Sequence, residues 1–178
     1  MLSLDEAILI EVAKWRSPTL TRVMMDVGSF GSPVVIFLIA AFAFTVLWTT
    51  NNRIGAARVA AAWTAEIWLE ILKRVIARPR PAVVPYLVSF SGFSFPSGHA
   101  MTAAALYATI AAVISSTYVQ DRNARVAIWL ICIVIIATVA ASRVYLGVHY
   151  PTDVVGGLIF GFAWSLLCGR LWPARSLK

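Results

Sequence analysis

Long apolar runs without a single charge constrain this chain more than any other feature. Four of them, residues 28–52, 100–119, 126–142 and 154–169, contain no Asp, Glu, Lys or Arg. A helix that crosses a bilayer needs roughly 20 such residues, with a range of 17–25. A fifth run, 56–77, is apolar but carries Arg58, Glu66, Glu70, Lys73 and Arg74. The expectation is an all-α membrane protein, a bundle of about five transmembrane helices forming one domain over residues 1–178. Composition agrees, with 60% hydrophobic and 13% charged residues, whereas a soluble domain carries about 25% charge. A cytosolic enzyme, a secreted disulfide scaffold and a disordered tail are thereby excluded. Cys132 and Cys168 lie inside apolar runs and read as small packing residues, not as a disulfide or metal site.

Residues 1–27 are too charged to span. Ser3 and Glu6 have capping-box spacing, and Leu20, Val23, Met24 and Val27 repeat at the interval of one helical face. Pro18 divides the two pieces. An N-terminal amphipathic helix lying in the interface is expected. Acidic residues stand where a secretory signal would be basic, so no cleaved leader is expected.

Consecutive spans alternate direction, so residues 73–81, 95–99, 142–143 and 149–153 meet on one membrane face. Both histidines of the chain, His99 and His149, fall there. The net charge of +7 is divided among short loops, which suits lipid head groups or a phosphorylated substrate and not nucleic acid. Lys14, Arg16, Arg22, Lys73, Arg74, Arg78, Arg80 and Arg143 are assigned to the site face. Arg53, Arg58, Arg122, Arg125, Arg170, Arg175 and Lys178 are assigned to the other. With Lys73, Arg80 and Arg143 set aside as site residues, the positive-inside rule puts the site on the extracytoplasmic face.

The chemistry is carried by three segments. In the first, Pro79 and Pro81 stop the helix, leaving Lys73 in its last turn and Arg80 beyond it. A point charge and a planar fork converging on one spot suit a phosphate; snorkelling to lipid phosphates is the plainer alternative. In the second, Ser97 is placed to cap a helix, Gly98 to admit a ligand to the backbone, and His99 to project from the first turn. A helix start is itself an anion site. In the third, His149 and Asp153 are four residues apart, which allows the carboxylate to hold one imidazole nitrogen as N–H and free the other as nucleophile or base. Arg143 precedes them.

Taken together, Lys-x6-Arg-Pro at 73–81, Pro-Ser-Gly-His at 96–99 and Ser-Arg-x5-His-x3-Asp at 142–153 resemble the three-part signature of the type 2 phosphatidic acid phosphatases (PAP2), a superfamily shared with vanadium haloperoxidases. The resemblance covers residues 73–161. It implies a metal-independent phosphatase without a cofactor. His149 would attack phosphorus to form a phosphohistidine, with Asp153 orienting it. His99 would protonate the leaving oxygen and then activate water, so the two histidines would start in opposite protonation states. Lys73, Arg80, Ser97, the Gly98 backbone and Arg143 would hold the phosphoryl oxygens. The implied substrate is a membrane lipid phosphate reached from the bilayer. Undecaprenyl diphosphate is ranked first by family analogy. Phosphatidylglycerophosphate or phosphatidate follows, then lipid A phosphates.

Other features are given non-catalytic readings. Glu66 and Glu70 are intramembrane acids, read as partners that lessen the cost of Lys73 and Arg74. Arg74 and Arg78 are read as head-group contacts, and Trp48, Trp129, Tyr150 and Trp172 as aromatic belts. The apolar loop 82–94 is read either as a wall of the lipid entrance or as a cover for helix ends. Phosphotransfer to a lipid acceptor uses the same nucleophile. A transporter or lipid-binding protein is the non-enzymatic alternative, and a soluble haloperoxidase conflicts with the apolar runs.

Overall fold

In the computed structural model, which describes residues 2–173, the chain forms eight α-helices: α1 (Leu4–Ala13), α2 (Pro18–Ser29), α3 (Pro33–Thr49), α4 (Arg53–Trp63), α5 (Ala65–Ile76), α6 (Gly98–Thr117), α7 (Arg122–Tyr145) and α8 (Pro151–Leu171). Arg175 and Lys178, part of the charge count above, lie outside the described residues. No strand occurs among those described.

The expected five spans are not all met. Three helices, α6, α7 and α8, are each long and apolar enough to cross a membrane, and α2 with α3, bent by 44°, makes a fourth if counted as one. The remaining run, 56–77, is split at Thr64, which ends α4 and begins α5. Its hydroxyl bonds back to the Ala61 carbonyl at 2.6 Å. Such a bond competes with the helix ladder and favours a bend. The broken pair still travels from one end of α6 to the other. Asn52, before α4, meets Tyr118 at the end of α6, while Leu69 of α5 packs where α6 begins at Gly98.

Helix α6 is the axis. Alanine occupies so much of its surface that neighbours can approach from all sides, and it packs on α3, α4, α5, α7 and α8. Its most extensive partner is α8. Gly157 and Gly161 of α8 face Ala100 and Ala104 of α6, and a Cβ on Gly161 would collide with the Met101 carbonyl. Small residues four apart allow helices in a membrane to touch backbone to backbone. Gly161→Leu is expected to force α6 and α8 apart and to cost several kcal/mol, in the manner of severe overpacking. A sharply lowered Tm in detergent, or loss of folded protein, checks this. Outward-facing Phe37, Phe42, Leu130, Ile131 and Val134 leave α3 and α7 an apolar exterior suited to lipid.

At the N-terminus the Ser3–Glu6 capping box forms as expected. The two pieces divided at Pro18 form two helices, and they pack against the bundle. Ser17 caps α2, with Pro18 in its first turn. Leu20 and Met24 pack under Tyr145, Leu146 and Val148, whereas Val23 of the same expected face points outward. Arg16 donates to the carbonyls of Tyr145 and Pro85, which clamps the segment to the site face.

Candidate active site

Backbone hydrogen bonds draw the three motif segments together. Ser94 N–H donates to the Arg78 carbonyl at 2.8 Å, and Ser97 N–H to the Asp153 carbonyl at 3.0 Å. Arg80 bonds the Val148 carbonyl at 2.7 Å. They enclose a cavity of about 260 Å³ whose wall includes Lys73, Arg80, Gly98, His99, Arg143 and His149. Six of the eight residues expected at the site thus line a single space.

Arg80 does fold back past the end of α5. Its guanidinium is held by the carbonyls of Ser91, Gly92 and Val148 and comes within 3.3 Å of His149 Nε2. Arg143 is buried, its Nε bonded to the Ser142 hydroxyl at 2.9 Å. It occupies the space that a side chain at position 28 would take, in direct contact with the ideal Cβ position of Gly28. Gly28 therefore has to be glycine for the Arg143 head group to sit where it does.

Two expectations need correction. Ser97 occupies the N-cap position of α6, but its hydroxyl caps nothing; it is buried, unpartnered and outside the cavity wall. Gly98 lies on the cavity wall, and a Cβ there would also meet the Leu69 side chain at 2.9 Å. His149 and Asp153 face each other, yet Nδ1 and Oδ2 are 3.6 Å apart and Nδ1 has no hydrogen bond. Catalytic hydrogen bonds are commonly long before substrate arrives.

Asp153 is instead held by other groups. Arg78 reaches Oδ1 at 2.6 Å, the Tyr150 N–H reaches Oδ2 at 2.8 Å, and the Ser94 hydroxyl bonds Oδ2 as well. Arg78 also bonds Asp5 of α1 and the Thr152 hydroxyl, and lies over the Tyr150 ring. The head-group reading of Arg78 is overturned, because its guanidinium is spent on Asp153, Asp5 and Thr152. Burial alone would lower the Arg78 pKa, but the hydrogen bonds and charges of Asp5 and Asp153 outweigh it and raise it. Arg-Pro-Arg-Pro at 78–81 was the available signal, because the prolines fix both arginines beside the same helix start. Asp5 gave none: it read as an obstacle to a span.

Glu70 pairs with Lys73 at 3.8 Å while half exposed, a loose contact worth about 0–1 kcal/mol. Glu66 lies on the cavity wall beside Lys73, so its reading as a charge partner alone is incomplete. Of the apolar loop, Val88, Ser89, Phe90 and Ser91 line the cavity, which makes it a wall of the site. Burial moves the His149 pKa downward; Asp153 opposes this, and the charges of Arg80 and Lys73 reinforce it. The net shift favours the neutral imidazole, the form a nucleophile requires.

Comparison with known proteins gives a matching picture. The PAP2 superfamily model matches residues 55–176. Phosphatidylglycerophosphatase B of Bacillus subtilis is 36% identical over 160 residues, 89% of this chain and 78% of that protein. The undecaprenyl-diphosphatase of Sulfolobus acidocaldarius is 29% identical over 165 residues, 90% and 74% of the two chains. The crystal structure of a transmembrane PAP2-type phosphatidylglycerolphosphate phosphatase from Bacillus subtilis superposes with a TM-score of 0.88 at 31% identity, covering 98% of this chain and 87% of that one. With its three motif segments closed around one cavity and its helices arranged as in that structure, this multi-pass membrane protein belongs to the PAP2 superfamily.

Proposed function

We propose that the protein hydrolyses the terminal phosphate of a membrane lipid through a phosphohistidine on His149. The observation that carries this reading is geometric: the His149 imidazole, its Nε2 within 3.3 Å of Arg80, lines a cavity together with Lys73, Arg80 and Arg143, with the second imidazole, His99, on the same wall. In the first step Nε2 bonds to phosphorus as the lipid oxygen departs with a proton from His99. In the second, His99 takes a proton from water, the water oxygen bonds to phosphorus, the N–P bond breaks and inorganic phosphate leaves. Three cations around the equatorial oxygens stabilise both transition states. Asp153 faces Nδ1 and offsets the positive charge that the ring gains. These side chains supply nucleophile, acid and charge without a metal ion.

Among substrates, the relatives favour phosphatidylglycerophosphate. Undecaprenyl diphosphate, ranked first from the sequence, is the second reading, supported by the undecaprenyl-diphosphatase relative. The test is phosphate release by purified protein from a panel of both lipids, phosphatidate and a lipid A phosphate, with and without a chelator. Phosphatidylglycerophosphate is expected to give the highest kcat/KM and chelation to change nothing. A phosphorylated acceptor in place of free phosphate would make the enzyme a phosphotransferase, and activity lost on chelation would overturn the metal-free scheme. For orientation, Arg16 and Arg78 are committed to protein contacts. That leaves Lys14, Arg22 and Arg74 on the site face against Arg53, Arg122, Arg125 and Arg170 opposite, a bias toward an extracytoplasmic site on a bacterial-type membrane.

The acid limb of the pH–rate profile should follow His149. A nucleophile must be neutral, and burial, with Arg80 and Lys73, places its pKa below the ordinary histidine value. The limb in kcat/KM is therefore expected below the usual histidine range. Arg80→Ala removes a charge that disfavours the imidazolium and should move the limb to higher pH. A limb unmoved by that substitution would show that another group controls it.

A further inference from the structure

At the end of α6 remote from the catalytic cavity lies a second cation with no role in the scheme above. Arg58, assigned by sequence to the membrane face opposite the site, is 7% exposed and packs against Gly169 near the end of α8. Its Nε is buried without a hydrogen-bond partner, and among the described residues no carboxylate lies within ion-pair distance of it. A buried charge without a counter-ion is strongly disfavoured, more so in a bilayer. Such a group calls for an anion that the described residues do not supply.

The surroundings define what that anion is attached to. Arg58 sits between two cavities and lines both. One, of about 380 Å³, is polar at its rim, with Asn52, Arg53, Thr117 and Tyr118, and includes the start of α4. A helix N-terminus adds its own attraction for an anion. The other, of about 600 Å³, is a groove walled by Ala108, Ala112, Trp129, Phe162 and Leu166. A charged seat with polar groups on one side and an apolar groove on the other matches a lipid phosphate with its acyl chain. Thr117 is eighteen residues along α6 from His99, or about 27 Å at 1.5 Å per residue, so the seat belongs to the other leaflet.

We propose that this cleft binds one anionic phospholipid of the leaflet opposite the catalytic cavity, its phosphate on Arg58 and a chain in the groove beside Trp129 and Phe162. The bound lipid supplies the missing counter-charge and fastens α4 to α6 and α8. It is a structural ligand, distinct from the substrate.

The test uses the full chain, delipidated in neutral detergent, titrated with dioleoylphosphatidylglycerol in mixed micelles while Tm is followed. The parent is expected to gain several degrees. Arg58→Met should be at least as stable as the parent without lipid, retain parental phosphate release, and lose that gain. Native mass spectrometry should count one fewer tightly held phosphatidylglycerol in the variant. Gly169→Val, which fills the space beside the guanidinium and keeps the charge, should lose the gain as well, and it serves if Arg58→Met does not fold. An equal rise in parent and variants overturns the proposal. So does an equal rise of the parent with phosphatidylcholine or with inorganic phosphate alone, since neither would then require an anionic lipid on Arg58.

Discussion

His149→Ala is expected to lower phosphate release from a lipid phosphate by on the order of 10⁴-fold or more, the scale on which removal of a nucleophile acts. The geometry explains why no neighbour can take its place. Nε2 is the imidazole atom next to Arg80, while Arg80 itself, Lys73 and Arg143 are cations that attract the phosphate but cannot attack it. For the same reason lipid binding should persist in the variant. Capture of a radiolabelled phosphoryl group on the protein separates the roles further. A phosphorylated intermediate should form in the parent and be absent from His149→Ala, and should build up if His99 is replaced while a substrate with a good leaving group is used. Turnover within tenfold of the parent in His149→Ala would remove the proposed nucleophile.

Arg78→Ala should be the most damaging substitution outside the cavity. Asp153 is completely buried, and among the described residues Arg78 is the one Lys or Arg bonded to it. Removing one partner of a fully buried ion pair costs about 3–5 kcal/mol; because Arg78 is about a third exposed, we expect about 2–4 kcal/mol. The same change frees Asp153 to shift relative to His149, so kcat should fall while KM changes little. Asp5→Asn isolates the outer half of this contact. It loosens α1 from Arg78 and Thr152 but leaves the Arg78–Asp153 bond intact, so it should lower Tm with only a small effect on kcat. Burial alone would raise the Asp5 pKa, but hydrogen bonds from Thr152 and Arg78 outweigh it and lower it. Its contribution to stability is thus present above its unfolded pKa and lost as pH falls through the folded value. Asp5→Asn should flatten the acid side of the Tm–pH curve. Equal kcat losses in both variants would mean that Arg78 acts through general stability and not by positioning Asp153.

The motif segments were legible because their chemistry is local. Prolines at 79 and 81 must end α5, a run of apolar residues must follow His99, and alternating spans must return His149 to the same face. Those rules placed Lys73, Arg80, His99, Arg143 and His149 around one space before any coordinates. The count of spans was less legible. A single hydroxyl at Thr64 divides one apolar run, and a pair of prolines at 18 and 33 opens helices that bend against each other; hydropathy averaged over a window is blind to both.

Alone, the sequence determined a membrane bundle and the membership of its catalytic cavity, because bilayer thickness and helix parity act on chain order and composition. Only the tertiary structure decided who partners whom. Asp5 reaches Arg78 across 73 residues of chain, Gly28 makes room for Arg143, the Ser97 hydroxyl is buried without a hydrogen-bond partner, and Arg58 is buried against Gly169. A hydrogen bond or a van der Waals gap depends on displacements of an ångström between segments distant in the chain, and residue spacing carries no information at that scale.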